Sequence, residues 1–350
     1  MTKITKILLV VLSSISLSFA AVAGDLTITG AAKASYVIGG AEEHQGKGIG
    51  VSNELNAIAS GEMDNGWTWS YSTELDPADG GAATNDDSQL TLTMGDMGTI
   101  GFFDSEGGLS QELGYGIGAL GTGTDFGNTM TVVYGLDVSS HPNAQYHIPA
   151  DLLPFGIAAK VGYAPNMTDG SGNSYKNEAP VNEPSVTGQN MTGYMLTAAP
   201  IDGLKIGADF HTTGGNSGVQ KAESGNAFAQ YAMGNFKVGY NRGGVSVGIQ
   251  DKNGAITGYE NTSFGIEMAV NDALSISYTD EDSERASNVA IVNAAAGGVK
   301  TKVTSEMETF QVAYIFGGAT VGVAIVDVAN ADYTALKEEK KTIFSLAMDF

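Results

Sequence analysis

The last nine residues of the chain place the strongest constraint on its fold. Counted back from the carboxyl terminus, every second residue is large and apolar: Phe350, Met348, Leu346 and Phe344. The residues between them are polar or small. Alternation with a period of two predicts a β-strand with one face in an apolar medium and the other in a wetter one. The strand ends on an aromatic ring with no polar tail, which favours a strand that faces lipid and ends at the membrane interface.

The amino terminus has the pattern of a secretory signal peptide. Lys3 and Lys6 precede a mostly apolar run over residues 7–17, and residues 21–23 (AVA) provide a small-x-small cleavage pattern. The apolar run is shorter than the roughly 20 residues that a membrane helix needs. We therefore expect residues 1–23 to be removed as a signal peptide and residues 24–350 to form one mature domain. Removal takes away two lysines and no acid, so the net charge changes from −22 to −24.

Composition excludes several classes of protein and of site. No later stretch is apolar for long enough to form a membrane helix, so a membrane-embedded form of this chain must be a closed β-barrel. The absence of cysteine rules out disulfides and thiolate metal sites. The strongly negative charge argues against nucleic acid as a partner.

The alternating pattern recurs along the whole mature chain in about 16 segments. One of these segments, residues 51–61, has a less regular pattern whose facing the sequence does not fix. Short turns alternate with longer polar loops, and both termini lie at the short-turn end, which is the layout of an outer-membrane barrel. The predicted short turns are residues 64–66, 95–98, 150–155, 201–203, 234–235, 271–273 and 317–318. The predicted loops are residues 39–50, 75–87, 165–188, 214–221, 251–258, 280–302 and 330–339, with residues 104–142 as the longest segment without alternation.

We therefore predict an all-β fold, a transmembrane antiparallel β-barrel of about 16 strands. Three segments, in this order and spacing, resemble the Gram-negative general-diffusion porin family: residues 26–36, residues 97–109 (MGTIGFFDSEGGL) and residues 143–156 (NAQYHIPADLLPFG). The carboxyl-terminal strand is also similar to those of Gram-negative outer-membrane proteins, where it serves membrane insertion. The resemblance implies a trimeric diffusion channel of the outer membrane for small hydrophilic solutes and ions, with outer-membrane lipid around it and no catalytic activity.

The same resemblance implies that residues 104–142 form a long third loop that folds inward and narrows the pore. The acids of this segment are then the candidate constriction residues: Asp104, Glu106, Glu112, Asp125 and Asp137. The inward positions of the strands supply the candidate wall residues: Lys33, Glu74, Lys160, Lys205, Asp209, Lys237 and Glu267. Acids on a loop that face bases on a wall would create a transverse field, which orders dipolar solutes and filters ions.

This chain departs from the family in its arginines. Porins commonly carry an arginine cluster on the pore wall, whereas this sequence has only Arg242, which the alternation points outward, and Arg285, which falls in a predicted loop. A weakly basic wall beside an acidic loop predicts a cation-preferring or weakly selective channel.

No metal or cofactor site stands out in the sequence. The four histidines lack metal-ligand spacing. The acidic run at residues 280–284 lacks the spacing of a calcium loop, so a hydrated loop is favoured, with a loop-bound calcium ion as the minor alternative. We expect no cofactor. Three functional alternatives stay open: a substrate-specific channel of the same fold, a barrel enzyme of the outer membrane, and a surface β-protein such as an adhesin.

Overall fold

The protein is described by a computed structural model that covers residues 24–41, 46–77, 83–104, 106–121, 135–165, 190–214, 221–246, 257–287 and 301–350. The predicted signal peptide, residues 1–23, lies outside these ranges. Among the described residues, no helix is both long enough and apolar enough to cross a membrane.

The chain forms one closed antiparallel barrel in which each strand pairs with its neighbours in sequence and the first strand pairs with the last. The predicted all-β barrel of about 16 strands is confirmed. The strands are β1 (Asp25–Ala41), β2 (Gly46–Glu62), β3 (Thr68–Pro77), β4 (Ala83–Thr93), β5 (Thr99–Asp104), β6 (Asn143–Ile148), β7 (Ala158–Ala164), β8 (Met191–Ile201), β9 (Leu204–Thr213), β10 (Glu223–Met233), β11 (Phe236–Ser246), β12 (Thr257–Ala269), β13 (Leu274–Ser287), β14 (Thr301–Phe316), β15 (Ala319–Ala329) and β16 (Glu339–Asp349). One-turn 3-10 helices span Gly95–Met97, Val138–Ser140, Ala150–Leu152, Pro154–Gly156 and Ala331–Tyr333.

The carboxyl-terminal residue completes the closure. Phe350 and Gly30 exchange two backbone hydrogen bonds of 2.7 and 2.8 Å. The Phe350 ring lies over Gly30, where an added Cβ atom would be 2.7 Å from the ring carbons. The last strand therefore leaves no unpaired edge against β1, as a barrel in lipid requires.

The outer face of the barrel is apolar and carries aromatic residues on neighbouring strands. Aromatic side chains face one another directly across neighbouring strands, and all of them but the intermediate Tyr278 are exposed. These pairs are Tyr194 with Phe210, Tyr240 with Phe264, Tyr278 with Phe310, and Tyr36 with Phe344. Aromatic rings with polar tips suit the lipid–water interface, so this face is built to contact a membrane.

All seven predicted short turns lie between consecutive strands of the barrel. Four of the predicted loops are too long, because the strands run further than the apolar alternation does. β1 and β2 extend into residues 39–50, β3 and β4 into residues 75–87, β12 begins at Thr257, and β13 and β14 enclose residues 280–302 from both ends. Beyond the lipid belt both faces of a strand are wet, so hydrogen-bonded pairing continues there while the hydrophobic signal disappears.

Two further assignments change with the structure. β2 faces outward with Val51 and Leu55, and its pattern is irregular because Asn53 also lies on the outer side while Ile58 faces in. The acidic run at residues 280–284 was predicted as a hydrated loop but belongs to β13. Alternation points Glu281 inward and the acids at 280, 282 and 284 outward.

Candidate functional site

The segment between β5 and β6 lies inside the barrel and not on its surface. We call its described parts, residues 106–121 and 135–142, the inner loop. Four of its apolar side chains are almost fully buried: Leu109, Tyr115 and Val138 at 0% exposure and Ile117 at 1%. Burying a side chain of this kind stabilises the folded state by about 1.5–3 kcal/mol. The packing is therefore strong enough to hold a segment without regular secondary structure against the wall.

Side chains of the wall provide hydrogen-bond partners for the loop backbone. The outgoing half runs from β6 to β14, and the returning half passes β10 and β9. The bonds are Asn143 Nδ2 to Glu106 O (3.1 Å), Gln111 N to Asp209 Oδ2 (2.5 Å), Asn241 Nδ2 to Glu112 O (2.5 Å), Gln230 Nε2 to Tyr115 O (3.0 Å), Gly118 N to Glu267 Oε2 (3.1 Å), Ala119 N to Ser277 Oγ (2.9 Å), Leu120 N to Gln311 Oε1 (2.7 Å), Leu136 N to Ser224 Oγ (2.9 Å) and Val138 N to His211 Nδ1 (3.3 Å). A loop in a barrel lumen has no sheet partner, so these side chains replace a strand ladder.

Glycines at inward strand positions make room for the apolar residues of the loop. A Cβ atom added at Gly265 would lie 2.6 Å from Ile117 Cγ2, and one added at Gly162 would lie 2.9 Å from Leu109 Cδ2. Leu120 fits against Gly322 in the same way. The inner loop is therefore seated in notches of the wall that only glycine leaves open.

Two of the predicted wall lysines hold the loop and do not face it across the lumen. Lys160 Nζ donates to the carbonyl oxygens of Gly107 (3.1 Å) and Gly108 (3.5 Å). Lys237 Nζ donates to the carbonyl of Gly116 and pairs with Glu267, both at 3.1 Å. The expectation that these lysines oppose the loop acids across a transverse field is wrong, because the loop lies directly on their side of the barrel.

The other predicted wall residues occupy inward strand positions in different surroundings. Lys33 is an inward residue of β1 and Glu74 an inward residue of β3. Lys205 is exposed, with its Nζ 5.9 Å from the centre of the Phe228 ring. Asp209 is buried beneath the loop. Arg285, predicted in a loop, is an inward residue of β13 that donates to Tyr333 O and lies 4.8 Å from the Tyr333 ring centre.

The candidate constriction acids also differ in their positions. Asp104 is the last residue of β5 and not part of the loop. Glu106 is half-buried and accepts the backbone N–H of Gly107 at 3.1 Å. Asp137 caps the 3-10 helix of the returning half by accepting the N–H of Ser139 at 2.9 Å. Asp125 lies outside the described residues.

Glu112 has an altered acidity because of its position between loop and wall. Burial raises the pKa of its carboxyl from 4.5 to about 7, and the nearby charges of Asp137 and Asp209 act in the same direction. Its charge therefore changes within the physiological pH range. Of the loop acids whose surroundings the structure describes, this one is best suited to tune the charge of the lumen with pH.

Sequence reasoning missed the residues that hold the inner loop. They are amide and hydroxyl side chains at inward positions of β10 to β14, among them Ser224, Gln230, Asn241, Ser277 and Gln311. The available signal was the combination of inward glycines with neighbouring inward amides, as in Gly239 and Asn241. A water-filled wall would carry similar residues, so the alternation alone does not distinguish anchors from lining.

Neither a known protein family nor a curated protein sequence matches the chain. Solved structures do match. A loop L8 deletion mutant of OmpT, an outer membrane protein of Vibrio cholerae, is 13% identical with a TM-score of 0.68, covering 94% of this chain and 100% of that one. Salmonella typhi OmpF in complex with daunomycin is 13% identical with a TM-score of 0.67, covering 94% and 98%. An anion-selective porin from Comamonas acidovorans is 12% identical with a TM-score of 0.63, covering 93% and 100%.

At these identities the likeness establishes the architecture. The neighbours include Gram-negative general porins, the family that the sequence segments resemble. The chain has the closed 16-stranded barrel fold of these porins.

Proposed function

We propose that the protein is a passive diffusion channel for small hydrophilic solutes and ions across the outer membrane of a Gram-negative bacterium, with no catalytic step and no cofactor. One observation carries this proposal: a loop enters the lumen of a membrane barrel and is fixed along one side of the inner wall. Such a loop narrows a passage, whereas a surface binding protein or a rim enzyme has no use for it.

The opposite side of the lumen supports an aqueous passage. Inward positions on the strands from β2 to β4 carry small polar side chains: Ser52, Asn56, Ser70, Ser72, Gln89 and Thr91. The contacts of the inner loop named above lie on β6 to β15. A polar wall that faces the loop across the lumen is what a hydrated pathway requires.

We further propose that the channel prefers cations. Lys160 and Lys237 are engaged with carbonyl oxygens of the loop, and Lys237 is paired with Glu267. These contacts hold their charges against the loop and away from passing ions. Glu106 and Glu112 contribute negative charge on the loop side, within a chain of net charge −22.

The assembly that we propose is a homotrimer in contact through the outer face of β1 to β3. Small side chains at Ala32, Ala57 and Ala59 leave this face nearly flat, and Ile49 and Val51 protrude from it at 85% and 71% exposure. Asn53 places an amide among these apolar residues, where lipid would leave its polar atoms unsatisfied. A second copy would cover both features, and one OmpT structure is itself described as a trimer form.

Solute flux through reconstituted protein tests the proposal. Residues 24–350, refolded into liposomes, should admit small sugars, seen as osmotic swelling whose rate falls steadily with solute size. Swelling that is fast for one sugar and absent for others of equal size would favour a substrate-specific channel. A folded barrel that admits no solute would contradict the channel altogether.

A further inference from the structure

The connection between β15 and β16, residues 330–338, has buried side chains although it was predicted as a polar loop. We call it the last loop. Its Ala331 and Tyr333 are 0% and 5% exposed, whereas Leu336 is 91% exposed. Strand direction alternates around the barrel, so the connections that follow β5 and β15 leave at the same end. The last loop and the inner loop therefore start from one end of the barrel.

The side chain of Tyr333 crosses β14 and reaches the inner wall of β12 and β13. Its hydroxyl lies 2.6 Å from Ser283 Oγ, which itself donates to Asn261 Oδ1 at 2.6 Å. A serine has one hydroxyl proton, so the Tyr333 hydroxyl is the donor to Ser283. The Tyr333 ring centre is 5.5 Å from that of Tyr259, and Arg285 Nη2 donates to the Tyr333 carbonyl at 3.2 Å. All four partners occupy inward strand positions, so the last loop enters the lumen.

The backbone of the last loop adopts a conformation that its larger side chains disfavour. The φ angles of Tyr333 and Leu336 are +54° and +66°. Asn330 and Asp332 also have positive φ, but asparagine and aspartate tolerate the left-handed region better than tyrosine or leucine. Such a conformation persists only where surrounding contacts offset its cost. The contacts of Tyr333 with the wall have this role.

Hydrogen bonds and an ion pair make the last loop a compact unit. Asn330 Nδ2 donates to the Thr304 carbonyl on β14, and its Oδ1 accepts the backbone N–H of Leu336, both at 2.9 Å. Lys337 Nζ pairs with Asp332 Oδ2 at 2.5 Å. The loop is thus held at its base by β14 and at Tyr333 by β12 and β13.

The last loop and the inner loop also share an apolar cluster inside the barrel. Ala331 belongs to this cluster, and Leu120 of the inner loop packs against it. Its wall members lie at inward positions of β14 to β16 and are at most 2% exposed: Met307, Ala324, Val326, Val328 and Ile343. Apolar side chains buried to this extent form a protein core and not the lining of a water-filled space. This sector of the barrel interior is therefore filled.

We propose that the last loop is a second inward-folded loop that limits the size of solutes entering the passage from the long-loop end, and that Tyr333 is the positioning residue that fixes it to the wall. This inference rests on the proposed channel function. The two loops occupy the same side of the lumen, so the last loop narrows the entrance to the passage that the inner loop lines.

Polymer exclusion in planar bilayers tests the role of the last loop. Replacing residues 329–338 with Asn-Gly joins the paired Val328 and Glu339 through a two-residue hairpin turn. Poly(ethylene glycol) of graded size is added to one side of the bilayer at a time, and the drop in current reports its entry. The replacement should admit larger polymers from the long-loop side and leave the size limit from the short-turn side unchanged.

An unchanged size limit at the long-loop side would overturn the inference while leaving the channel intact. An equal change from both sides would also overturn it, because the effect would then belong to the barrel and not to one entrance. Absence of any conductance in the folded wild type would instead overturn the channel.

Single substitutions test Tyr333 without shortening the chain. Tyr333→Ala removes the hydroxyl and the ring, so the freed loop should raise the open-channel current noise several-fold. Tyr333→Phe keeps the ring contacts and should be intermediate. Thr334→Ala, at the exposed neighbouring position, is the matched control and should be as quiet as the wild type. A Tyr333→Ala channel as quiet as this control would show that Tyr333 does not fix the loop.

Discussion

At the scale of single residues, one carboxyl of the inner loop connects pH to ion preference. The pKa of Glu112 is raised to about 7, so the group is mostly protonated below that pH and ionised above it. We expect cation preference to increase between pH 6 and pH 8 as this negative charge appears. Reversal potentials in a salt gradient measure the change. Glu112→Gln should show a nearly constant preference over the same range, and a full pH response in that variant would assign the effect to another group.

The inward glycines that make room for the inner loop lead to a second prediction for single residues. Gly265→Val should force Ile117 off the wall, because even a Cβ atom there lies 2.6 Å from Ile117 Cγ2. We expect destabilisation of about 1–3 kcal/mol from the overpacking and a lower conductance as the loop moves inward. Thermal unfolding and single-channel current measure the two effects.

The matched control for this substitution is Gly48→Ala. Gly48 has nothing within 4 Å of an added Cβ atom. Its substitution should change neither the unfolding temperature nor the current. A Gly265→Val channel as stable and as conductive as that control would show that the inner loop is not seated in the notches.

At the scale of elements, the two ends of the chain depend on one contact. Deleting Phe350 removes both backbone hydrogen bonds to Gly30 and the ring that covers it. We expect a lower yield of closed barrel in a detergent refolding assay, followed by the mobility difference between boiled and unboiled samples. Phe350→Leu keeps the backbone bonds and an apolar side chain, so it should refold with a yield between those of the wild type and the deletion. Equal refolding yields for all three proteins would show that the contact between Phe350 and Gly30 does not contribute to barrel closure.

The outer face of β1 to β3 is a second element with a defined expectation. Ala57→Trp places a large ring on the flat face where a second copy is proposed to dock. We expect loss of the trimer, measured by native mass spectrometry in detergent, with the barrel still folded. Leu196→Trp, at a lipid-facing position of β8 that is 55% exposed, is the control and should stay trimeric. An Ala57→Trp protein that remains trimeric would place the interface elsewhere.

At the scale of the whole molecule, the sequence predicted the parts of the fold that the membrane dictates. Alternation predicted about 16 strands and the facing of those with a regular pattern, and the turn residues predicted the seven short connections. The sequence did not predict the end of the strand at residues 280–287, because strand pairing beyond the lipid does not require alternating apolar side chains. β2 was ambiguous because Asn53 and Ile58 each lie on the face that its pattern does not suit.

The candidate site was predictable in place but not in geometry. The long irregular segment after β5 pointed to an inward loop, and residues 106–121 do lie inside the barrel. Alternation places Lys160 and Lys237 on the inner wall, but it carries no information on which sector of that wall the loop covers. The burial of Asp209 and His211 depends on the same contact between distant segments, so it also required the structure.

We propose that the inner loop lines an aqueous passage and tunes its ion preference. Planar-bilayer recording of refolded residues 24–350, alone and with Glu106→Gln and Glu112→Gln combined, tests it most directly. The wild-type protein should give stable conductance steps at neutral pH and a reversal potential that favours cations, and the double variant should show a weaker cation preference. A folded barrel without conductance would contradict the channel, and a cation preference unchanged in the double variant would contradict the role of the loop.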